Sequence, residues 1–220
     1  RLIREGGFTQ ALAVARRLRQ IAPSREAFYR LGVILKELSQ YREALEAFRN
    51  ALRFRKGPRH LAAQILIHKA HLWSLLGHGP RIRVCLRKAE RLKPKGQNAY
   101  NLHFMMGNDL LLRRRYREAI TSFATAEQLA RDQRERARAR SNRATAHYRL
   151  GEFAEAKRLL LSALRSHRAG GWKADAASTR INLAAVLFDT GEYAWAFRLI
   201  LTAARTLNST GKVAAAKRPE

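Results

Sequence analysis

One spacing recurs along this chain and limits what it can fold into. Gly107 precedes an aromatic residue, Tyr116, by nine positions, and Ala119, Phe123 and Ala126 then follow at steps of three, four and three. The same skeleton reads Gly32, Tyr41, Ala44, Phe48, Ala51; Ala144, Phe153, Ala156, Leu160, Ala163; and Ala184, Tyr193, Ala196, Ile200, Ala203. A weaker copy reads Ala70, Gly79, Ile82, Leu86, Ala89, and a half copy reads Phe8, Ala11, Ala15, Leu18. Steps of three and four place these residues on one face of a helix. Counted at the aromatic slot, the copies lie 33 to 40 residues apart. Repetition at such a period means one helical unit stacked on itself. Neither a strand-like alternation nor a heptad seam competes, so the expected fold is an all-α solenoid.

Turn residues divide the units. Pro23, Gly57-Pro58, Gly77 to Pro80, Pro94 to Gly96, Gly151, Gly170-Gly171 and Gly191 interrupt the apolar pattern. The spacing predicts a half repeat at 1–23. Antiparallel helix pairs follow at about 25–58, 60–95, 98–131, 133–169 and 173–207, with a frayed basic tail at 208–220. Ser24 is placed to cap the helix that starts at Arg25, and Pro80 suits a first helical turn. Because residues 1–7 are too few for a complete first helix, the sequence is expected to be a fragment of a longer protein. The small residues are expected to face one another where two helices cross, with Leu35, Trp73, Phe48 and Phe123 filling the space between neighbouring pairs.

The residues Leu31-Gly32, Leu35, Tyr41, Ala44, Phe48 and Ala51 resemble the tetratricopeptide repeat family, as do Gly151 to Ala156 and Gly191 to Tyr193. The resemblance covers about 1–207. Its departures are Gly79-Pro80 at an aromatic turn, His147 at a usually apolar position, and a lengthened pitch. It implies a right-handed superhelix whose first helices line a concave groove and whose second helices form the outer face. It also implies a non-catalytic module that binds a peptide or partner helix, as the sensor or adaptor part of a regulatory protein.

Projected onto that arrangement, the groove carries Gln64, His68, His71, Asn101, Phe104, Asn108, Arg138, Ser141, Asn142, Thr145, Tyr148, Ser178 and Asn182. Amides offer both donors and an acceptor, matching the alternating groups of an extended peptide backbone. The near absence of acids, with Arg138 nearby, favours an acidic or carboxylate-ended peptide.

Charge opens a second expectation. Lys and Arg number 44 against 17 acids, a net charge of +27, which attracts polyanions without specifying a fold. Arg49 and Arg53 begin one cluster with Arg55 and Lys56. Arg81, Arg83, Arg87, Lys88, Arg91 and Lys93 form another, opposed only by Glu90. The alternative function is therefore a nucleic-acid-associated scaffold that binds phosphate backbone through a basic convex face. Few aromatics interleave with these runs, so base stacking has little support.

No catalytic motif is visible, and neither cofactor nor metal is expected. His68 and His71 share a helix face without a third ligand. Thr210-Gly211-Lys212 lacks the earlier glycine of a phosphate loop. The lone Cys85 lies one turn from Ile82, where a thiol is buried and inert. A single cysteine and the absence of a long apolar run suit a reducing compartment, and the expected location is cytoplasmic.

Overall fold

The computed structural model describes residues 7–54 and 57–216. Residues 1–6, Arg55, Lys56 and the end of the tail at 217–220 lie outside the described residues, as do the side chains of Phe8, Thr9, Arg19 and residues 210–216. The described residues form eleven α-helices and no strand: α1 (Phe8–Ile21), α2 (Arg25–Glu37), α3 (Tyr41–Arg53), α4 (Arg59–Leu75), α5 (Gly79–Arg91), α6 (Gly96–Leu112), α7 (Tyr116–Leu129), α8 (Gln133–Arg149), α9 (Phe153–Ala169), α10 (Lys173–Asp189) and α11 (Tyr193–Ala216). The all-α expectation holds, and each second helix starts at its aromatic slot or, in α5, at Gly79 in that slot.

Two compact units divide the chain at Met105–Met106, within α6. In the first, α1 packs on α2, α2 on α3, α3 on α4 and α4 on α5. In the second, the same succession runs from α7 to α11, and the first helices α8 and α10 also touch. The end of the chain differs from expectation. Helix α11 continues through Ser209 to Ala216 instead of stopping before a basic tail. The segment holds no proline, and the hydroxyls of Thr206 and Ser209 bond back to Thr202 O and Thr206 O inside the helix.

Helix starts follow local chemistry. The Ser24 side chain accepts from Ala27 N at 3.2 Å, and Asp132 accepts from Glu135 N at 2.8 Å. The Glu135 carboxylate in turn accepts from Arg131 N, one residue before the cap, at 3.1 Å, which ties the incoming chain to the first turn.

The small slots work differently from the expectation. A Cβ on Gly32 would lie 2.5 Å from the Phe48 ring, and one on Gly107 would lie 2.6 Å from the Phe123 ring. The small residue of a first helix thus receives the large residue seven places after the aromatic slot of its partner, rather than a second small residue. Steric volume explains the pairing. Glycine occurs opposite Phe48 and Phe123, whereas the units with Ala70, Ala144 and Ala184 carry Leu86, Leu160 and Ile200 at the matching position. Phe48, Phe123 and Leu160 are fully buried, and burial of one such side chain is worth roughly 1.5–3 kcal/mol.

The inter-helix turns share one backbone solution. Seven residues after each small slot the chain enters the left-handed region, at Ser39 (φ 60°), Gly77 (73°), Arg114 (60°), Gly151 (79°) and Gly191 (83°). The next amide closes the turn onto the carbonyl five residues back: Gln40 N to Leu35 O, His78 N to Trp73 O, Arg115 N to Leu110 O, Glu152 N to His147 O and Glu192 N to Leu187 O, all at 2.8–3.0 Å. This pair of features is the Schellman ending of a helix. It explains the glycines at 77, 151 and 191, and it marks Ser39 and Arg114 as strained versions of the same turn.

Two outcomes are expected. Gly107→Ala lowers stability by about 1–3 kcal/mol despite better helix propensity, because the Phe123 ring must move; chemical denaturation of this variant and of the Gly107→Ala, Phe123→Leu double variant checks it, the second recovering most of the loss. Arg114→Gly raises stability by about 0.5–1 kcal/mol, relief of the left-handed strain outweighing the freer unfolded chain; a shift of the melting temperature reads it.

Candidate groove faces

In the first unit, burial decides what the proposed groove residues can do. His68 stacks on the Phe48 ring, with centroids 5.7 Å apart and planes at 13°, and it also meets Tyr29 at 5.8 Å. Burial is the largest influence holding its imidazole down to a pKa of about 4, assisted by Lys36 and His71. His68 is thus a neutral, packed side chain, half-buried as Gln64 is, while His71 is exposed. On α6, Asn101 accepts from Gln97 Nε2 at 3.4 Å, and Phe104 stacks on Tyr100 at 5.8 Å.

The second unit brings its predicted residues together. Asn142 Nδ2 on α8 donates to Asn108 Oδ1 on α6 at 3.0 Å. One helix further, Asn182 Nδ2 on α10 donates to Thr145 Oγ1 on α8 at 3.4 Å. All four are half-buried, so the amides are tied in place while their remaining groups lie near solvent. Asn142 and Asn182 each keep a carbonyl oxygen and a second N–H that take part in no other hydrogen bond among the described residues. Tyr148 sits at the C-terminal end of this face and donates its hydroxyl to Asp189 Oδ2 at 2.7 Å. That bond leads the influences raising the phenol above its ordinary value. Ser178 is exposed and bonds within its own helix, to Ala174 O at 3.2 Å.

Two predicted groove residues are used elsewhere. Ser141 is buried and shares a 3.3 Å hydrogen bond with Thr179 between α8 and α10. Arg138 lies 3.6 Å from Asp175, whose other oxygen takes Arg134 at 2.6 Å. Asp175, Thr179 and Asp189 were missed by the sequence reading. The available signal was the spacing of 41 residues that joins both Arg134 to Asp175 and Tyr148 to Asp189. Exposed apolar groups, Ile181 and Phe188, flank the α10 amide.

The basic clusters are unequal. Arg49 pairs with Glu46 at 3.0 Å, Arg113 with Asp109 at 3.7 Å, and Arg140 and Arg143 share Glu127 at 2.7 and 3.0 Å. On α5, Arg83, Arg87 and Arg91 follow at four-residue steps beside Arg81 and Lys88. None of these five forms an ion pair among the described residues. Arg53 and Lys93 are also exposed. Cys85 is buried, and that burial pushes its thiol up while Lys69 and Lys88 pull it the other way. Among the described residues, no group of three or more His, Cys, Asp or Glu side chains is placed to hold a metal. No described helix is long and apolar enough to cross a membrane.

A model of the tetratricopeptide repeat matches residues 26–57, spanning α2 and α3, and another matches 136–169, spanning most of α8 and all of α9. No curated protein sequence matches the chain. Among solved structures, BtubC from P. vanneervenii superposes with a TM-score of 0.74 at 19% identity, over 98% of this chain and 92% of that one. A Rap protein complexed with Competence and Sporulation Factor gives 0.70 at 16% identity, over 90% of this chain and 65% of that one. YrrB, described as having an unusual peptide-binding site, gives 0.56 at 19% identity, over 76% and 81%. At these identities the likeness is one of fold.

The packed, half-buried His68 generates a pH dependence. His68 has a folded pKa of about 4 against an ordinary 6.5, so the fold favours its neutral form. Its stabilising contribution is complete above pH 6.5 and is lost as the pH falls through about 4. The loss amounts to roughly 3 kcal/mol. Urea midpoints measured at neutral pH and near pH 4 should show a smaller drop for His68→Gln than for the natural chain.

Proposed function

The chain is a tetratricopeptide-repeat protein, and from that premise we propose that it acts as a non-catalytic interaction module. On this reading it holds an extended peptide or partner helix along the first-helix face of its second unit, in the service of a larger regulatory protein. The paired amide contacts carry the proposal: Asn142 to Asn108 at 3.0 Å and Asn182 to Thr145 at 3.4 Å. Each contact uses one N–H of the donor amide. The remaining N–H and carbonyl match the groups that a peptide backbone presents. Because the amides are already held, less side-chain freedom is lost on binding, a saving of about 0.5–1.5 kcal/mol per residue. Tyr148 and exposed Phe188 supply apolar anchors beside them. YrrB, of similar fold, is described as having a peptide-binding site, and the Rap protein as held in complex with a factor, which lends support to a binding role.

A second reading rests on the α5 stripe, where Arg83, Arg87, Lys88 and Arg91 form no ion pair among the described residues and would contact a phosphate backbone without reading its sequence. In it, Arg49, Arg53, Arg81, Arg83, Arg87, Lys88, Arg91 and Lys93 supply the charge.

One experiment separates the two. Peptides selected on the immobilised chain from a displayed random library should bind at least ~10-fold more weakly to the Asn142→Ala, Asn182→Ala variant, a loss of about 1.4 kcal/mol. They should bind normally to a variant with Arg83, Arg87 and Arg91 reversed to Glu. Circular dichroism must show both variants folded. Binding that ignores the asparagines and collapses with the arginines and with added salt would sink the groove reading in favour of the second.

A further inference from the structure

Lys69 stands one residue before the small slot of α4, Ala70, and the matching residue of α8 is Arg143, one before Ala144. The fold treats the two cations differently. Arg143 lies 3.0 Å from Glu127 on α7, the second helix packed against α8. Glu127 comes eleven residues after the aromatic Tyr116; eleven residues after Tyr41, on the equivalent helix α3, stands Leu52. The repeat therefore supplies a counter-ion for Arg143 and a leucine for Lys69. Lys69 is half-buried and makes no ion pair among the described residues. Its burial holds the ammonium below the usual lysine range; the Cys85 thiol acts the other way, and Lys88 and Arg49 add to the effect.

The same lysine lines a cavity of 560 Å³ together with Arg42, Glu46, Arg49, Trp73 and Arg81. Among the described residues of that wall Glu46 is the only acid, and Arg49 engages it at 3.0 Å. The Arg81 guanidinium lies over the Trp73 ring, 4.3 Å from its centroid. Such a cation–π contact fixes the guanidinium plane while leaving its N–H edge free. Arg42 and Arg81, like Lys69, form no ion pair among the described residues. One pocket thus gathers a half-buried ammonium and two guanidiniums whose charge no acid among the described residues matches.

We propose that this cavity is a binding site for a compact phosphorylated small molecule, with the phosphoryl group seated among Lys69, Arg42 and Arg81. The excess of positive charge suits a di- or polyanion better than a single carboxylate. Guanidinium forks match phosphoryl oxygens in geometry, and the volume exceeds that of a bare phosphate while falling within the range of small-ligand sites. The site is distinct from the α8 and α10 amides and does not rest on them. It shares Arg49 and Arg81 with the charges of the second reading, but Arg83, Arg87, Lys88 and Arg91 of the α5 stripe are not part of its wall.

Calorimetric titration with inorganic pyrophosphate, in about 150 mM salt to screen surface adsorption, tests the proposal. The expected result is saturable binding of one pyrophosphate per chain. Lys69→Met and Arg42→Gln should each weaken it at least ~10-fold, while the Arg83→Gln, Arg87→Gln double variant leaves it unchanged. Arg42 is exposed, so its variant keeps the test valid should Lys69→Met fail to fold. Heparin, a long polyanion, should show the reverse ranking. The proposal is overturned by non-saturable binding, or by equal losses in the cavity and stripe variants, which would be general adsorption. It is likewise overturned if a phosphoserine peptide binds in a Lys69-dependent manner more tightly than pyrophosphate, which would make the ligand a modified partner protein.

Discussion

Where a first helix carries glycine, its partner carries phenylalanine at the facing position; where it carries alanine, the partner carries leucine or isoleucine. This exchange of volume across the crossing sets how closely the two helices approach. Close-packed interiors tolerate neither a void nor an overlap of even one methyl group. With the crossing fixed, the aromatic slot falls at the start of the second helix and the turn residues fall outside it. The apolar stripes then meet the next pair. The buried cluster from Ala11 to Leu72 in the first unit, and that from Ala144 to Ala196 in the second, are the same arrangement built twice. Ile200 occupies the slot of fully buried Leu160 yet remains partly exposed, since no described helix packs beyond α11. Each crossing thus completes its core only through the helix that follows it.

Positions outside this skeleton are where the copies diverge chemically. Asn142 and Asn182 take the same slot in consecutive first helices, and both donate across to the preceding first helix. The slot one residue before the small residue holds Leu31, Lys69, Met106, Arg143 and Leu183. A charge at that half-buried place demands a partner, because desolvation penalises an isolated ion. Glu127 meets the demand for Arg143, and its opposite oxygen environment also draws in Arg140. The contrast with Lys69 comes from a single residue, Leu52, on the neighbouring helix. Identical backbones thus present one neutralised position and one open one.

Most of the fold was legible because it depends on spacing. The interval from small residue to aromatic slot marks where each second helix begins, and the turn residues separate the pairs, while the extension of α11 departs from the expected end at about 207. What the small slots face was not legible, since sequence gives the face of a helix and not its rotation against a partner; Phe48 and Phe123 proved to be the residues received. The amide face emerged in part. Repetition pointed to Asn142 and Asn182, but Ser141 carries a similar polarity and is turned inward to Thr179. Distinguishing them requires knowing the width of the apolar stripe, which alanine-rich helices such as α8 barely define. The Lys69 cavity was hidden for a different reason: it depends on an acid missing from a helix seventeen residues earlier, and a missing residue leaves no pattern.

The five turns that end the first helices bear on how the chain acquires its structure. Each closes through a bond between residues five apart, and each brings together helices adjacent in sequence. Contacts so local require little chain to be ordered before they form, which favours rapid folding. The turns are not equivalent starting points. Those at Gly77, Gly151 and Gly191 enter the left-handed region freely, while Ser39 and Arg114 must be forced into it. Folding is therefore biased to begin at the α4–α5, α8–α9 and α10–α11 hairpins, with the intervening pairs completed against surfaces already in place.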